Sequence, residues 1–171
     1  MSDALSIPDT RENPPPDLDE RETLIAFLDS YRDTILVKLD GLDREQLSRR
    51  VLPSRTTLLG IVKHLILVED WWFGCVLAGG PEPPEDPADP DSEWLITDAD
   101  DPRQVVADYR AACERGNQIA RGVASLDVHG PGPHRPEKTA RWILEHMVDE
   151  TARHAGHADI VRELVDGRTG E

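Results

Sequence analysis

Glu150 and His154 stand one helical turn apart, in the middle of a stretch that reads as the buried face of a helix. Ile143, Met147, Glu150, His154, His157 (or Ala158), Val161 and Leu164 recur at steps of three and four, the spacing of a single helix stripe. A carboxylate left unpaired in such a stripe costs on the order of several kcal/mol. A divalent cation would satisfy Glu150 and His154 together, because side chains at i and i+4 project to a common point. His64 lies among Ile61, Leu65 and Val68 and is a third candidate ligand from a second helix. Three ligands from two helices leave coordination positions open for water or substrate, as in catalytic sites. His146, one turn before Glu150, is a reserve ligand. His157 and Asp159 are expected to orient the ligands or line a pocket beside them. The competing reading has no metal: Glu150 and His154 form a buried ion pair, and His64 is a hydrogen-bonded core histidine. His129 and His134 fall in a Pro/Gly-rich loop and are expected at the surface. Trp71, Trp72 and Trp142 fit core packing first, with Trp71 also a candidate pocket wall. Trp94 is isolated in an acidic segment and must dock somewhere; the mouth of the helical core is the expected place.

Four helices are predicted to carry these residues. The first runs from about Asp19 to Leu39 on a stripe of Leu24, Leu28, Tyr31, Ile35 and Leu39, with Gly41 as a stop. The second starts near Ser54 or Thr56 and ends at Gly79–Gly80. The third opens at Asp101-Pro102, a favoured helix start, and runs to about Ser125. The fourth covers about Pro136 to Asp166, with Gly167 after it. No segment alternates with period two, so the expected fold is all-α, a four-helix bundle with a long acidic loop between the second and third predicted helices. Residues 1–18 are expected to form a flexible acidic, Pro-rich tail, and 19–167 the bundle.

The chain has 171 residues, a single-domain size, with 34 acidic and 19 basic side chains for a net charge of −15. Residues 1–22 hold −5 of this and residues 82–101 hold −9, so the remainder is close to neutral. A strongly acidic chain repels nucleic acid and anionic membrane surfaces. That exclusion weakens for the near-neutral remainder, but no basic stripe offers itself there. If Trp94 docks the acidic loop at the metal pocket, its charge would disfavour anionic substrates. No apolar run is long enough to span a membrane, and the N-terminus lacks the features of a signal peptide. The expected location is therefore cytoplasmic, with Cys75 and Cys113 as reduced thiols. No Ser-His-Asp set, P-loop or GxGxxG motif suggests another chemistry.

The segment Glu-Thr-Ala-Arg-His-Ala-Gly-His-Ala-Asp-Ile-Val-Arg-Glu-Leu-Val-Asp-Gly, residues 150–167, resembles the last helix of the DinB-like superfamily. Thr-Leu-Leu-Gly-Ile-Val-Lys-His-Leu, residues 57–65, followed by Glu69 and Trp72, is similar to its second helix, and Trp94 resembles a tryptophan after its long loop. The resemblance covers roughly residues 20–167 and is greatest to the branch that includes the N-terminal domain of mycothiol-dependent maleylpyruvate isomerase. It implies a bundle that binds a divalent metal, zinc or nickel, with His64, Glu150 and His154 at the ligand positions. In many members both ligands of the last helix are histidines; Glu150 matches the mycothiol-linked form, which makes the site one charge more negative. It further implies activation of a low-molecular-weight thiol, mycothiol or bacillithiol, toward an electrophilic substrate, and a homodimer. The Arg-rich composition, 16 Arg to 3 Lys, suits an actinobacterial, mycothiol-making host. The isomerase's second domain has no counterpart in these residues, so a thiol transferase is expected rather than that isomerase. The alternative is a non-catalytic metal-binding stress-response or interaction bundle, with His146 or His157 closing the metal shell.

Overall fold

A computed structural model describes residues 4–84, 86–89 and 91–170, and among these the regular structure is helical apart from one isolated bridge between His129 and Thr139. Five α-helices follow in order: α1 Glu20–Val37, α2 Arg44–Leu47, α3 Leu58–Glu69, α4 Pro102–Gly122 and α5 Ala140–Asp166. A π-helical segment, Asp70–Leu77, continues α3, and a single 3-10 turn, Ser92–Trp94, lies in the acidic connection.

The helix starts are those that local chemistry favours. Asp19, Thr57, Asp101 and Thr139 each cap a helix by accepting from a backbone N–H two or three residues on. Glu20 and Glu22 then place negative charge against the positive end of α1. α5 begins at Ala140 and not at Pro136, because Thr139 is its cap and the preceding residues are held elsewhere. Ala140 N–H donates to Val128 O and Arg141 N–H to Leu126 O. At its far end Gly167 takes the left-handed conformation at φ 80°, which closes the helix without a Cβ clash. The four-residue α2 was not expected; a reciprocal capping box between Asp43 and Gln46 holds it.

Buried side chains form two clusters, and their membership fixes the helix directions. The first half of α1 (Ile25, Leu28) packs with the first half of α5 (Ile143, Leu144, Met147), the π segment (Phe73, Val76, Leu77) and the end of α4 (Ala120). The second half of α1 (Ile35, Leu36) and Leu39 just after it pack with the second half of α5 (Ala158, Val161, Val165), the start of α3 (Leu58, Leu59, Ile61) and the start of α4 (Val105, Val106, Tyr109). Hence α1 runs parallel to α5, and α3 runs parallel to α4. Parallel neighbours cannot be joined by a tight turn. The chain from Leu77 to Pro102 must travel back along the full length of α3, and this return path carries the acidic loop over the site described below.

Two sequence expectations change here. The buried stripe of α5 runs through Met147, Thr151, His154, Ala158, Val161 and Val165, while Leu164 is 54% exposed. A straight helix turns every 3.6 residues, so a stripe drawn at 3.5 drifts off the core over several turns. Glu150 therefore lies at the edge of the buried face, with its side chain 14% exposed. The opening segment, expected as a flexible tail, is anchored in part: Leu5 and Ile7 are buried, Leu5 exchanges backbone hydrogen bonds with Leu42 and Gly41, and Ile7 N–H donates to Asp40.

A second polar cluster crosses the core. Arg32 of α1 donates from Nε and Nη2 to the two carboxylate oxygens of Glu69, at 2.8 and 2.5 Å. Its Nη1 donates to Asp29 and to Asn117 Oδ1, and Asn117 donates back to Asp29. Burial pushes the Glu69 carboxyl up while the facing guanidinium pulls it down. Glu69 is the last residue of α3, where the helix widens; Ala78 N–H reaches back five residues to Phe73 O.

Candidate metal centre

His64, Glu150 and His154 come together between α3 and α5. One ligand atom from each lies within 4.8 Å of the others. Glu150 Oε1 is 3.1 Å from His154 Nε2 and 3.8 Å from His64 Nε2. Two nitrogen or oxygen ligands on one tetrahedral zinc lie roughly 3.3 Å apart, so these separations bracket the spacing an ion needs.

The acidic connection reaches His64. Glu93 accepts a hydrogen bond from His64 Nδ1 at 2.9 Å. A carboxylate there favours a proton on Nδ1, and in the neutral ring Nε2 then carries a lone pair. That Nε2 is buried and has no hydrogen-bond partner. The atom it faces, Glu150 Oε1, is also an acceptor. Two acceptors facing each other in a buried site call for a cation between them. This residue set fits a divalent ion, and the carboxylate behind the histidine is the arrangement that orients metal-binding imidazoles.

Glu150 is prepared for the same role. Hydrogen bonding to His154, with the Arg153 guanidinium beside it, holds its carboxyl well below the usual carboxylate range, and burial opposes this only in part. Its other oxygen, Oε2, accepts from Arg153. Trp94 stacks on His64 with ring centroids 4.1 Å apart and an interplanar angle of 17°. The backbone around it is tied to α2 and α3: Lys63 Nζ donates to Leu95 O and pairs with Asp100, and Arg44 donates to Thr97 O and Asp100 O. Gly60 permits the approach, since a Cβ there would lie 3.0 Å from Trp94 O. Trp94 thus docks at the site, as its isolation in the sequence suggested.

The other expected residues go to different places. His157 is exposed and touches the site only through an edge-on contact with the His154 ring at 5.4 Å. His146 points into an aromatic cluster, 4.6 Å from Trp72 and stacked on Trp142 at 4.9 Å, and burial lowers its pKa. Asp159 pairs with Lys38 at 2.6 Å. Trp71 lines a cleft of about 490 Å³ with Lys63, Trp72 and Glu93, and none of His64, Glu150 and His154 is in its lining. Trp142, expected in the core, is 36% exposed under the Lys138 ammonium, 3.8 Å from its ring centre. His134 is half-buried beside Trp71 and pairs with Glu82. Sequence reasoning did not single out Glu93. It is one of nine acids in residues 82–101, and only the return path of the chain selects it.

A family model described as mycothiol-S-transferase matches residues 23–167. The chain belongs to the mycothiol-S-transferase family. This family lies within the DinB-like superfamily, in agreement with the resemblance read from α3 and α5. No curated protein and no solved structure matches the chain. The matched region spans α1 to α5 and contains His64, Glu93, Glu150 and His154.

Proposed function

We propose that this chain is a divalent-metal-dependent mycothiol S-transferase, a DinB-type four-helix bundle that binds its ion through His64, Glu150 and His154. The observation that carries this reading is the buried, partnerless Nε2 of His64 facing the Glu150 carboxylate, within a member of the mycothiol-S-transferase family. Zinc or nickel suits a site of two imidazoles and one carboxylate. When bound, such an ion lowers the pKa of a thiol and so supplies a nucleophile near neutral pH.

The protein's own groups have separate tasks. Glu93 keeps the proton on His64 Nδ1 and the ring at a fixed angle. Arg153 holds Glu150 Oε2 and leaves Oε1 to face the imidazoles. Trp94 covers His64 and keeps water from that side of the ring. His146 is taken up by Trp72 and Trp142, which supports a site with open positions over a closed structural one. The co-substrates in this reading are mycothiol and an electrophile; the setting is a cytoplasm and the assembly a homodimer. No helix among the described residues is long and apolar enough to cross a membrane. The test is conjugate formation, followed by mass spectrometry, with mycothiol and a reactive halide. Zinc- or nickel-loaded protein should form the conjugate above the uncatalysed rate, and chelation should abolish the excess. Full activity in the chelated protein would refute metal dependence.

A further inference from the structure

Resting on the transferase reading, we infer that the cleft between the α2–α3 connection and α5 is the electrophile subsite, and that it selects neutral, apolar electrophiles. Two clefts adjoin the candidate centre, and only this one, of about 340 Å³, includes one of the three ligand residues. Its walls are Leu52, Trp94, Ile160 and Val161, with Thr56, His154 and His157 as the polar groups. His154 is part of its lining, so a molecule in the cleft contacts one of the three ligand residues directly.

Polarity decides which co-substrate enters. A polar thiol carrier would leave hydrogen-bonding groups unpaired against Leu52, Ile160, Val161 and the Trp94 ring. An apolar electrophile replaces water there at no such cost. The other cleft is also largely apolar, through Leu67, Val68, Trp71, Trp72, Pro83 and Pro84, but it adds Lys63, Glu82, Asp86, Ser92 and Glu93, which can pair with a polar molecule. Charge narrows the choice further. No Lys or Arg lines the apolar cleft, and the carboxylates of Glu93 and Glu150 lie just behind Trp94 and His154. An anionic electrophile would find no Lys or Arg side chain on these walls to pair with. Ile160 is 57% exposed at the rim and is the natural gatekeeper.

For an alkyl halide the step balances simply. A sulfur lone pair forms the S–C bond, the C–halide bond breaks, halide departs with its electron pair, and the thiol proton passes to water.

A matched pair tests the selectivity: methyl 4-(bromomethyl)benzoate and 4-(bromomethyl)benzoate carry the same reactive carbon and differ in charge. After subtraction of the uncatalysed rates, the neutral ester should be favoured in kcat/KM by at least about tenfold. Ile160→Glu, a rim substitution that leaves the core intact, should raise the ester KM by about tenfold while bound metal and the mycothiol KM stay unchanged. Binding of the neutral fluorophore N-phenyl-1-naphthylamine gives a readout independent of turnover, and Ile160→Glu should weaken it by a similar factor. Equal use of ester and acid, or a mycothiol KM that rises in place of the ester KM, would overturn the subsite. Fluorophore binding without thiol transfer to any halide would instead overturn the transferase reading, and the electrophile role with it.

Discussion

Arg32 and His64 each bring a nitrogen-bearing side chain into an apolar core, and what faces them differs. Arg32 meets a carboxylate that accepts from its Nε and Nη2, while Asp29 and Asn117 accept from Nη1. Donors and acceptors match, so the cluster is complete as folded. His64 meets Glu93 on one nitrogen and only another acceptor on the other. The first cluster joins α1, α3 and α4 and holds the helices. The second joins α3, α5 and the returning loop, and leaves His64 Nε2 buried without a hydrogen bond. A buried polar group that is satisfied speaks for architecture; one that is left aimed at another acceptor speaks for a ligand.

The contrast can be broken at either end. Arg32→Ala leaves Glu69 buried without its partner and should cost about 3–5 kcal/mol in urea unfolding, with or without metal. A loss under 1 kcal/mol would show that the cluster does not hold the helices. Adding zinc at roughly a thousandfold excess over its Kd should stabilise the apo-protein by about 4 kcal/mol, and should do nothing for His154→Ala. An equal shift in both proteins would place the ion elsewhere. Glu93→Gln retains the size of the side chain but loses the carboxylate that fixes the His64 tautomer. It should weaken metal binding by about 10- to 100-fold in chelator competition. Unchanged affinity would mean that the loop only covers the site. Asp159→Asn should cost under about 1 kcal/mol, since its pair with Lys38 is partly solvated, and should leave metal affinity unchanged. A large loss of affinity would return Asp159 to the site.

Much of this was legible in the sequence because it is local. A helical stripe interrupted by Glu150 and His154, with caps and stops around it, is visible without a fold. So is a tryptophan too large to remain in a solvated acidic loop. What was not legible depends on the path of the chain. Glu93 is distinguished from its acidic neighbours only because α3 and α4 run parallel and force the connection back past His64. His146 has the spacing of a ligand, but Trp142 and Trp72 compete for its ring, and Trp72 comes from another helical segment. Asp159 was expected beside the ligands, while its position on α5 turns it toward Lys38, the residue that follows α1. The stripe of α5 was drawn one residue out by its end, because a small error in period accumulates over seven turns.

The most direct test is the metal content of purified protein, measured by elemental analysis after exhaustive dialysis against metal-free buffer, for the wild type beside His64→Ala and His154→Ala. One equivalent of divalent ion in the wild type and none in either variant is the expected result. Wild type without metal after reconstitution with zinc or nickel, or a full equivalent retained by both variants, would contradict the assignment of His64, Glu150 and His154 as the ligands.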